Sequence, residues 1–197
     1  MKTSNLYIDI EIARDTSIPD NIFSIAQEKN PDQISFLPAY NKVIAIAIGW
    51  LKDWELKVKS LQGSEEEMIR ELFWFIDRYT ITGFNILWFD LPFITLRAMK
   101  YGIMVPPTLK TFGVKPWDMW DRFLDLMQVF KITGARYYNL ADLCLLLGIQ
   151  TPKITMDGSM VQWFYDDGKL SDIEEYNRAD VRATYDLHQK AISLKLL

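Results

Sequence analysis

The chain has 197 residues, of which 49% are hydrophobic, and a formal net charge of −4 at pH 7. This length suits one domain with a substantial core, and we expect residues 1–197 to form a single domain. The acidic balance argues against a protein that coats nucleic acid nonspecifically, because such proteins are usually basic. No apolar run reaches the roughly 18 residues that cross a membrane, and the N-terminus does not resemble a signal peptide.

The chain contains a single cysteine, Cys144, in the apolar stretch ADLCLLLG. A lone cysteine cannot form an internal disulfide, and the sequence holds no cysteine-rich zinc pattern. The apolar surroundings favour a buried structural thiol over a reactive one. This cysteine usage and the absence of a signal peptide predict a cytoplasmic protein with no membrane association.

The first predicted strand covers residues 5–12 and carries two acids, Asp9 and Glu11. Side chains alternate across a strand, so the two carboxylates share one face. The opposite face is aliphatic, with Leu6, Ile8, Ile10 and Ile12. Like charges this close repel each other, and burying them without a partner costs several kcal/mol. A compensating group is therefore expected beside this strand.

The segment that follows, residues 13–42, has no clear period and contains three prolines. We predict a long excursion with a short helix near NIFSIAQEK, and loops of this length in compact domains are often lids or binding segments. The next stretches, KVIAIAIGWL and WELKVKSL, predict two strands joined near Lys52-Asp53. They are interpreted as a β-hairpin.

Helices and short strands alternate in the middle of the chain. Ser64 and Glu67 form a predicted capping box at the start of a helix. The stretch TITGFNI is typical of a strand that runs into a turn, and a helix is predicted from about Leu91 to Tyr101, ending at Gly102. RFLDLMQVFK predicts a strand or a mixed segment.

Three more helices are predicted towards the end of the chain. Asn139 caps the stretch LADLCLLL, which Gly148 closes, and SMVQWFYDDG forms a short helix. The last helix begins at Ser171 with a capping-box Glu174 and runs to about Leu194. Since strands come early and helices mix in later, the predicted class is α/β, with a central mixed β-sheet flanked by helices.

Two further acids stand out by their positions. Asp180 falls on the predicted buried stripe of the last helix, one turn after Tyr176, while Arg178 and Arg182 point to other faces. An acid that faces the core needs another partner. Asp90 stands at the start of the helix that follows TITGFNI and has an ordinary interpretation as its N-cap. A helix N-terminus is also a favourable place to hold a functional carboxylate.

These four acids, Asp9, Glu11, Asp90 and Asp180, are candidates to converge at one end of the sheet. Such a cluster would contain oxygen ligands without Cys or His, which suits hard divalent cations such as Mg²⁺ or Mn²⁺. Two such ions about 3.5–4 Å apart are the standard device for phosphodiester cleavage. Neutralisation by metal would explain why the first strand tolerates two adjacent acids.

Three motifs occur in order along the chain, each on the expected type of element. They are Asp9-Ile10-Glu11 on a strand, Asn85 with Phe89-Asp90 at a turn, and Tyr176 with Asp180 on a helix. Together they resemble the DEDD superfamily of 3′–5′ exonucleases, which has a DnaQ-like, RNase H-like fold. The tyrosine indicates the DEDDy subgroup, because the histidine form would need His at position 175. The single histidine, His188, is predicted to lie at the surface.

The resemblance is greatest to the proofreading exonuclease domain of B-family DNA polymerases and its stand-alone bacterial relatives, through GFNILWFDLPFI and EYNRADVRAT. It implies that Asp9 bridges two divalent cations, Mg²⁺ or Mn²⁺. Glu11 and Asp180 would complete the site of the ion that activates water. Asp90 would serve the second ion, partly through water, and Tyr176 would orient the attacking water.

The same resemblance implies a substrate and its contacts. The substrate would be nucleic acid with a single-stranded 3′ end, DNA favoured, and the product a nucleoside 5′-monophosphate. Asn85 and Phe89 would shape the substrate groove. Ile12 stands where the family often has a threonine that holds the terminal nucleotide. A non-catalytic RNase H-like module that binds nucleic acid or protein, and a phosphodiesterase for short oligonucleotides, are alternative interpretations.

Charge and aromatic residues give a further expectation for substrate binding. Residues 97–136 contain seven basic and three acidic side chains, a local net charge of +4. This segment is the candidate for holding the nucleic-acid backbone, with an ordinary solvated surface as the alternative. Trp88, Trp117 and Trp120 are candidates for stacking on unpaired bases. Core packing is the preferred interpretation for most of the seven tryptophans.

Overall fold

A computed structural model of the protein describes residues 4–109, 122–131, 138–150 and 156–197. Its strands are β1 (Asn5–Arg14), β2 (Asn41–Lys52), β3 (Glu55–Ser60), β4 (Thr80–Gly83) and β5 (Phe123–Asp125). They form one mixed sheet in the order β3-β2-β1-β4-β5. β1 pairs antiparallel with β2 and parallel with β4, and β4 pairs parallel with β5.

Helices cover both faces of this sheet. They are α1 (Asp20–Lys29), α2 (Glu65–Ile76), α3 (Asp90–Lys100), α4 (Leu126–Val129), α5 (Leu140–Leu147), α6 (Val161–Asp166) and α7 (Leu170–Ser193). The main core packs α2 and α3 against one face, and α6 and α7 pack on the other. This arrangement confirms the predicted α/β class with a central mixed sheet. None of the helices among the described residues combines the length and the apolar character that a membrane span requires.

The alternation of side chains in β1 places its two acids on the α7 side of the sheet. Leu6, Ile8 and Ile10 belong to the core under α2 and α3, whereas Tyr7 packs with Val181 of α7. Asp9 and Glu11 share the parity of Tyr7. The predicted division of the strand into an aliphatic and an acidic face is therefore confirmed.

Small residues of β2 allow α7 to lie close to the sheet. Ala45, Ala47 and Gly49 face this helix, and a Cβ atom added to Gly49 would lie 2.7 Å from Val181 Cγ1. In the register of the sheet, Ala47 is the partner of Asp9. The close approach therefore brings the neighbour of Val181, Asp180, over the acidic face of β1.

Local signals in the sequence are confirmed where the contacts are short-range. Ser64 and Glu67 make the predicted reciprocal capping box at the start of α2. Asn139 caps α5, and Gly148 ends it in a left-handed conformation with φ of 67°. The predicted hairpin joins β2 and β3, with its tip at residues 53–54.

Three sequence predictions about helices and their neighbours are wrong. The last helix has Lys169 at its N-cap with no side-chain cap, so Ser171 and Glu174 do not form a capping box. The N-cap of α3 is Phe89, and Asp90 is its first helical residue. His188 is 4% exposed, because it packs in the core and hydrogen-bonds with the Tyr7 hydroxyl at 2.7 Å.

The tryptophans also depart from expectation. Of the five that the structure describes, four are exposed: Trp54, Trp74, Trp88 and Trp163. Core packing is therefore the wrong interpretation for these four, and other aromatic and aliphatic residues fill the core. Trp117 and Trp120 lie outside the described residues. Cys144 is fully buried, as predicted.

Two basic residues of the predicted backbone-binding segment are already paired with acids. Arg97 is 2% exposed and donates to Asp15 at 2.9 Å and to Glu65 at 2.6 Å. Lys100 donates to Asp15 at 2.7 Å. The buried Arg97 is therefore not accessible to a nucleic-acid backbone, which corrects the expectation for this residue, whereas the Lys100 side chain remains 42% exposed. Lys110 and Lys115 lie outside the described residues.

Candidate functional site

Three of the predicted site residues form a carboxylate cluster. Asp9, Glu11 and Asp180 each contribute one oxygen atom, and the three oxygens lie within 4.8 Å of one another. β1 supplies the first two and α7 supplies the third. The cluster has no nitrogen or sulfur donor, and this set of donors suits a hard divalent cation.

The electrostatics of the cluster favour a bound cation. Burial, together with the negative charges of Asp180, Glu11 and Asp90, raises the pKa of Asp9 well above its usual value. A hydrogen bond from Asn177 Nδ2 to Asp9 Oδ2, 2.6 Å long, opposes this shift. Since a divalent cation would offset the repulsion between the acids, the residues present fit such an ion.

Asp90 lies beside the cluster but takes a different orientation. It is 2% exposed, and its Oδ1 accepts a hydrogen bond from the Ile10 backbone N–H of β1 at 3.2 Å. Burial raises the pKa of Asp90 to about 7, and the charge of Asp125 adds to the effect. The contact with β1 replaces the predicted N-cap interaction, and it ties the start of α3 to the strand that carries Asp9.

Tyr176 lies one helical turn before Asp180 and is 7% exposed. Burial raises the pKa of its hydroxyl far above the usual value, and the negative charges of Asp180 and Glu11 raise it further. The hydroxyl therefore keeps its proton at any ordinary pH. It offers a neutral hydrogen-bonding group at the edge of the carboxylate cluster.

Two residues that support the site had not been identified from the sequence. Asn177 is fully buried and donates to Asp9, and its position next to Tyr176 in the third motif is the sequence signal that could have identified it. Asp125 ends β5 and accepts hydrogen bonds from the backbone N–H groups of Asn85 and Leu87 at 2.8 and 3.1 Å. It therefore shapes the turn that contains the second motif.

The carboxylate cluster opens into a cleft with a volume of about 1310 Å³. Tyr176, Ile12, Asn85 and Phe89 line this cleft together with the three clustered acids. Asn85 has a φ of 66°, a conformation that asparagine tolerates better than most residues. The cleft therefore brings together every predicted site residue except Asp90, which lies buried behind its lining.

The fold and the cluster together define an α/β protein of the RNase H-like class with a carboxylate-lined cleft. The sequence of residues 34–195 matches a family model described as a predicted 3′–5′ exonuclease related to the exonuclease domain of PolB. The match covers most of the chain, and the protein belongs to this family. Exonuclease domains of this kind act on nucleic acid and use divalent metal ions.

A solved structure supports the fold along the whole chain. The family B DNA polymerase from the hyperthermophilic archaeon Pyrobaculum calidifontis superposes with a TM-score of 0.68 and 21% identity. The superposition covers 100% of this chain, including β1, and 25% of the polymerase. The chain thus spans a quarter of that protein's length. No curated protein sequence matches significantly.

Proposed function

We propose that this protein is a metal-dependent 3′–5′ exonuclease that acts on single-stranded nucleic acid, with DNA favoured. It would hydrolyse the terminal phosphodiester bond and release nucleoside 5′-monophosphates. The observation that carries the proposal is the convergence of Asp9, Glu11 and Asp180 oxygens within 4.8 Å at a cleft. A protein that only binds nucleic acid has no need for such a costly cluster of like charges.

The carboxylate cluster would hold the metal ions. Asp9, Glu11 and Asp180 face one another, and Asp90 lies next to them. Bound Mg²⁺ or Mn²⁺ ions, two in the proposed mechanism, would supply positive charge that stabilises the attacking and leaving oxygens. A bound cation would lower the raised pKa of Asp9 and would so keep the cluster ionised.

The protein's own side chains would position the reacting groups. In the hydrolysis, the oxygen of a water molecule bonds to the terminal phosphorus, and the bond from phosphorus to the 3′-oxygen of the preceding nucleotide breaks. The attacking water loses one proton to solvent, and the 3′-oxygen leaves as a hydroxyl after gaining one from solvent. The protonated Tyr176 hydroxyl orients the attacking water, and Asn177 keeps the Asp9 carboxylate in place.

The direct test is a digest of 5′-labelled single-stranded DNA and RNA with Mg²⁺ or Mn²⁺. An exonuclease of this polarity shortens the labelled strand as a ladder from its 3′ end. A 3′-phosphate should slow the reaction, blunt duplex should be cut more slowly than single strands, and a chelator should stop it. Immediate release of the label as a mononucleotide, or cutting of closed circular single strands, would contradict the polarity.

Two further outcomes of the digest address the alternative interpretations. Tight binding of single strands without cleavage under any metal would indicate the non-catalytic module. Hydrolysis restricted to oligonucleotides of a few residues would indicate the oligonucleotide phosphodiesterase. Comparison of DNA with RNA at equal length identifies the preferred sugar.

Tyr176 provides a separate test of the mechanism. Tyr176→Phe should leave metal affinity nearly unchanged, because a neutral phenol is a poor ligand for Mg²⁺. It should lower kcat by about 10²-fold, the order of magnitude expected for loss of a positioned hydrogen-bonding group. The measurement is a metal titration of activity at saturating substrate. A large loss of metal affinity with unchanged kcat would make Tyr176 a ligand.

A further inference from the structure

One wall of the cleft is built by residues 14–36, from the end of β1 through α1 to a short 3₁₀ helix. Arg14, Phe23, Gln27, Ile34, Ser35 and Phe36 from this segment line the cleft that contains the carboxylate cluster. None of these side chains belongs to the three sequence motifs. Their position raises the question of what they contact when a substrate is bound.

Phe36 is the most exposed aromatic side chain in this wall. It is 59% exposed although it borders the cleft, and it meets Phe89 of the second motif in a T-shaped contact with ring centroids 6.0 Å apart. A T-shaped contact leaves much of the ring surface open. An exposed ring beside an acidic site offers a flat apolar surface for stacking, which a nucleobase of any sequence can use.

The backbone that carries Phe36 is held firmly. Ile34 is 4% exposed, and the buried Asn41 side chain donates to the carbonyl oxygens of Ile34 and Leu37 at 2.6 and 3.0 Å. The buried Arg97 guanidinium donates to the Pro38 carbonyl at 2.9 Å. The Phe36 ring is therefore exposed although its backbone is held in place. Little conformational entropy of this segment would be lost when a ligand binds.

Arg14 supplies positive charge in the same wall. Among the described residues that line the cleft, it is the one basic side chain, whereas five are acidic: Asp9, Glu11, Asp157, Asp166 and Asp180. Its guanidinium carbon lies 4.1 Å from the centre of the Phe23 ring, a cation–π contact that helps to hold the side chain in this wall. A positive charge in an otherwise acidic cleft suits recognition of an anion close to the cluster.

The bonding of Arg14 leaves capacity for such an anion. Its Nη2 donates to Asp20, whose side chain is 93% exposed, so water and salt screen this pair. Its Nε is buried and has no hydrogen-bond partner among the described residues, but the side chain as a whole is 30% exposed, so other N–H groups of the guanidinium can reach an anion in the cleft. A guanidinium has five N–H groups in a geometry that matches phosphate oxygens.

We propose that residues 14–36 form a nucleotide-binding subsite in which Phe36 stacks on an unpaired nucleobase and Arg14 binds a backbone phosphate. The occupant is a single-stranded nucleic acid whose scissile end lies at the carboxylate cluster. The subsite rests on the proposed function for the identity of its ligand. It assigns binding to the excursion after β1, in place of the buried Arg97.

The test measures binding separately from cleavage. Fluorescence anisotropy of a labelled single-stranded oligonucleotide with Mg²⁺, in an Asp9→Asn background, reports affinity without turnover. Phe36→Ala should weaken binding by about 10-fold, as expected for the loss of one base–aromatic stack. Trp74→Ala is the matched control, because Trp74 is 52% exposed on α2 and lies outside the cleft lining. It should bind like the parent.

Modified substrates locate the two contacts. A single abasic residue is placed in turn at each of the last four positions of the oligonucleotide. At one of these positions, the abasic residue should lower the affinity of the parent protein. At the same position, it should not lower the affinity of Phe36→Ala any further, because the stacking contact is already lost. Arg14→Gln should bind the oligonucleotide more weakly than the parent does. A neutral methylphosphonate at one linkage should make the affinities of the two proteins equal. The slope of log K against log salt should fall in magnitude by about 0.7 for one lost phosphate contact.

Arg78→Gln is the control for Arg14. Arg78 also stacks on an aromatic ring, Trp74, at 4.1 Å, but it lies away from the cleft. Equal affinities of the Phe36 and Arg14 variants and their controls would overturn the subsite, even if the wild type degrades nucleic acid. A different result would separate the two proposals. If the wild type does not cleave, but Phe36→Ala and Arg14→Gln still lose affinity at one base and one phosphate, the proposed function is refuted and the subsite is supported. No nucleic-acid binding by the parent overturns both.

Discussion

Asp9→Asn should reduce nucleotide release by at least about 10³-fold, since removal of a bridging carboxylate loses metal-derived stabilisation worth several kcal/mol. Asp9 is the acid that the other members of the cluster surround, and its pKa responds to all of them. The measurement is product formation under saturating Mg²⁺ or Mn²⁺. Full activity of this variant would refute the proposed mechanism.

The same variant should be more stable than the wild type in metal-free buffer. The raised pKa of Asp9 means that the folded state holds its proton more tightly than the unfolded state does. Stability therefore falls as pH rises from the unfolded pKa near 3.9 towards the raised folded value. Asparagine does not ionise, so the variant avoids this pH-dependent loss of stability. Its Tm should therefore exceed that of the wild type by more at pH 8 than at pH 5.

A matched aspartate on α7 separates the site from general charge effects. Asp186 is exposed and lies outside the lining of the cleft. Asp186→Asn should retain cleavage. Asp180→Asn, by contrast, should lose activity to a degree comparable with Asp9→Asn, since both carboxylates belong to the same cluster. Added Mg²⁺ should raise the Tm of the wild type more than that of Asp9→Asn.

Arg97→Met should destabilise the protein by about 3–5 kcal/mol, the usual cost of breaking a buried ion pair on one side. Arg97 is 2% exposed and lies between Asp15 and Glu65, which are themselves buried. The variant leaves part of their negative charge uncompensated. For a protein of this size, the loss corresponds to a decrease in Tm of roughly 10 °C. Thermal or urea unfolding measures it.

Lys100→Met provides the comparison for Arg97. The Lys100 side chain is 42% exposed although it also contacts Asp15. Solvent screens this pair, so its loss should cost less than about 1 kcal/mol. Equal destabilisation by the two variants would show that burial does not decide the energetics here.

Because Arg97 also holds Pro38, its variant should weaken substrate binding through the segment that carries Phe36.

Features fixed by short-range contacts could be predicted from the sequence. The Ser64–Glu67 capping box, the β2–β3 hairpin and the opposite faces of β1 depend on neighbours in the chain or on the period of a strand. The Ser171–Glu174 pair has the same pattern as the first box but is not a cap. Its helix begins one residue earlier, and Glu174 lies 3.6 Å from Arg178.

The site could be predicted only in part for a similar reason. Motif spacing identified the acids, but their partners come from distant elements. The contact of Asp90 with Ile10 and that of Asn177 with Asp9 depend on how α3 and α7 meet β1. Arg97 was expected to be available for binding nucleic acid, because its acidic partners, Asp15 and Glu65, are distant in the sequence and could not be predicted from it.

The docking of α7 over β2 also sets the point in synthesis at which the carboxylate cluster can form. Asp9 and Glu11 on β1 leave the ribosome well before Asp180 and Tyr176 on α7. N-terminal segments are made first, so a nascent chain that lacks α7 holds two of the three clustered acids. The proposed nuclease should therefore be inactive until α7 has been synthesised and has packed over β1 and β2.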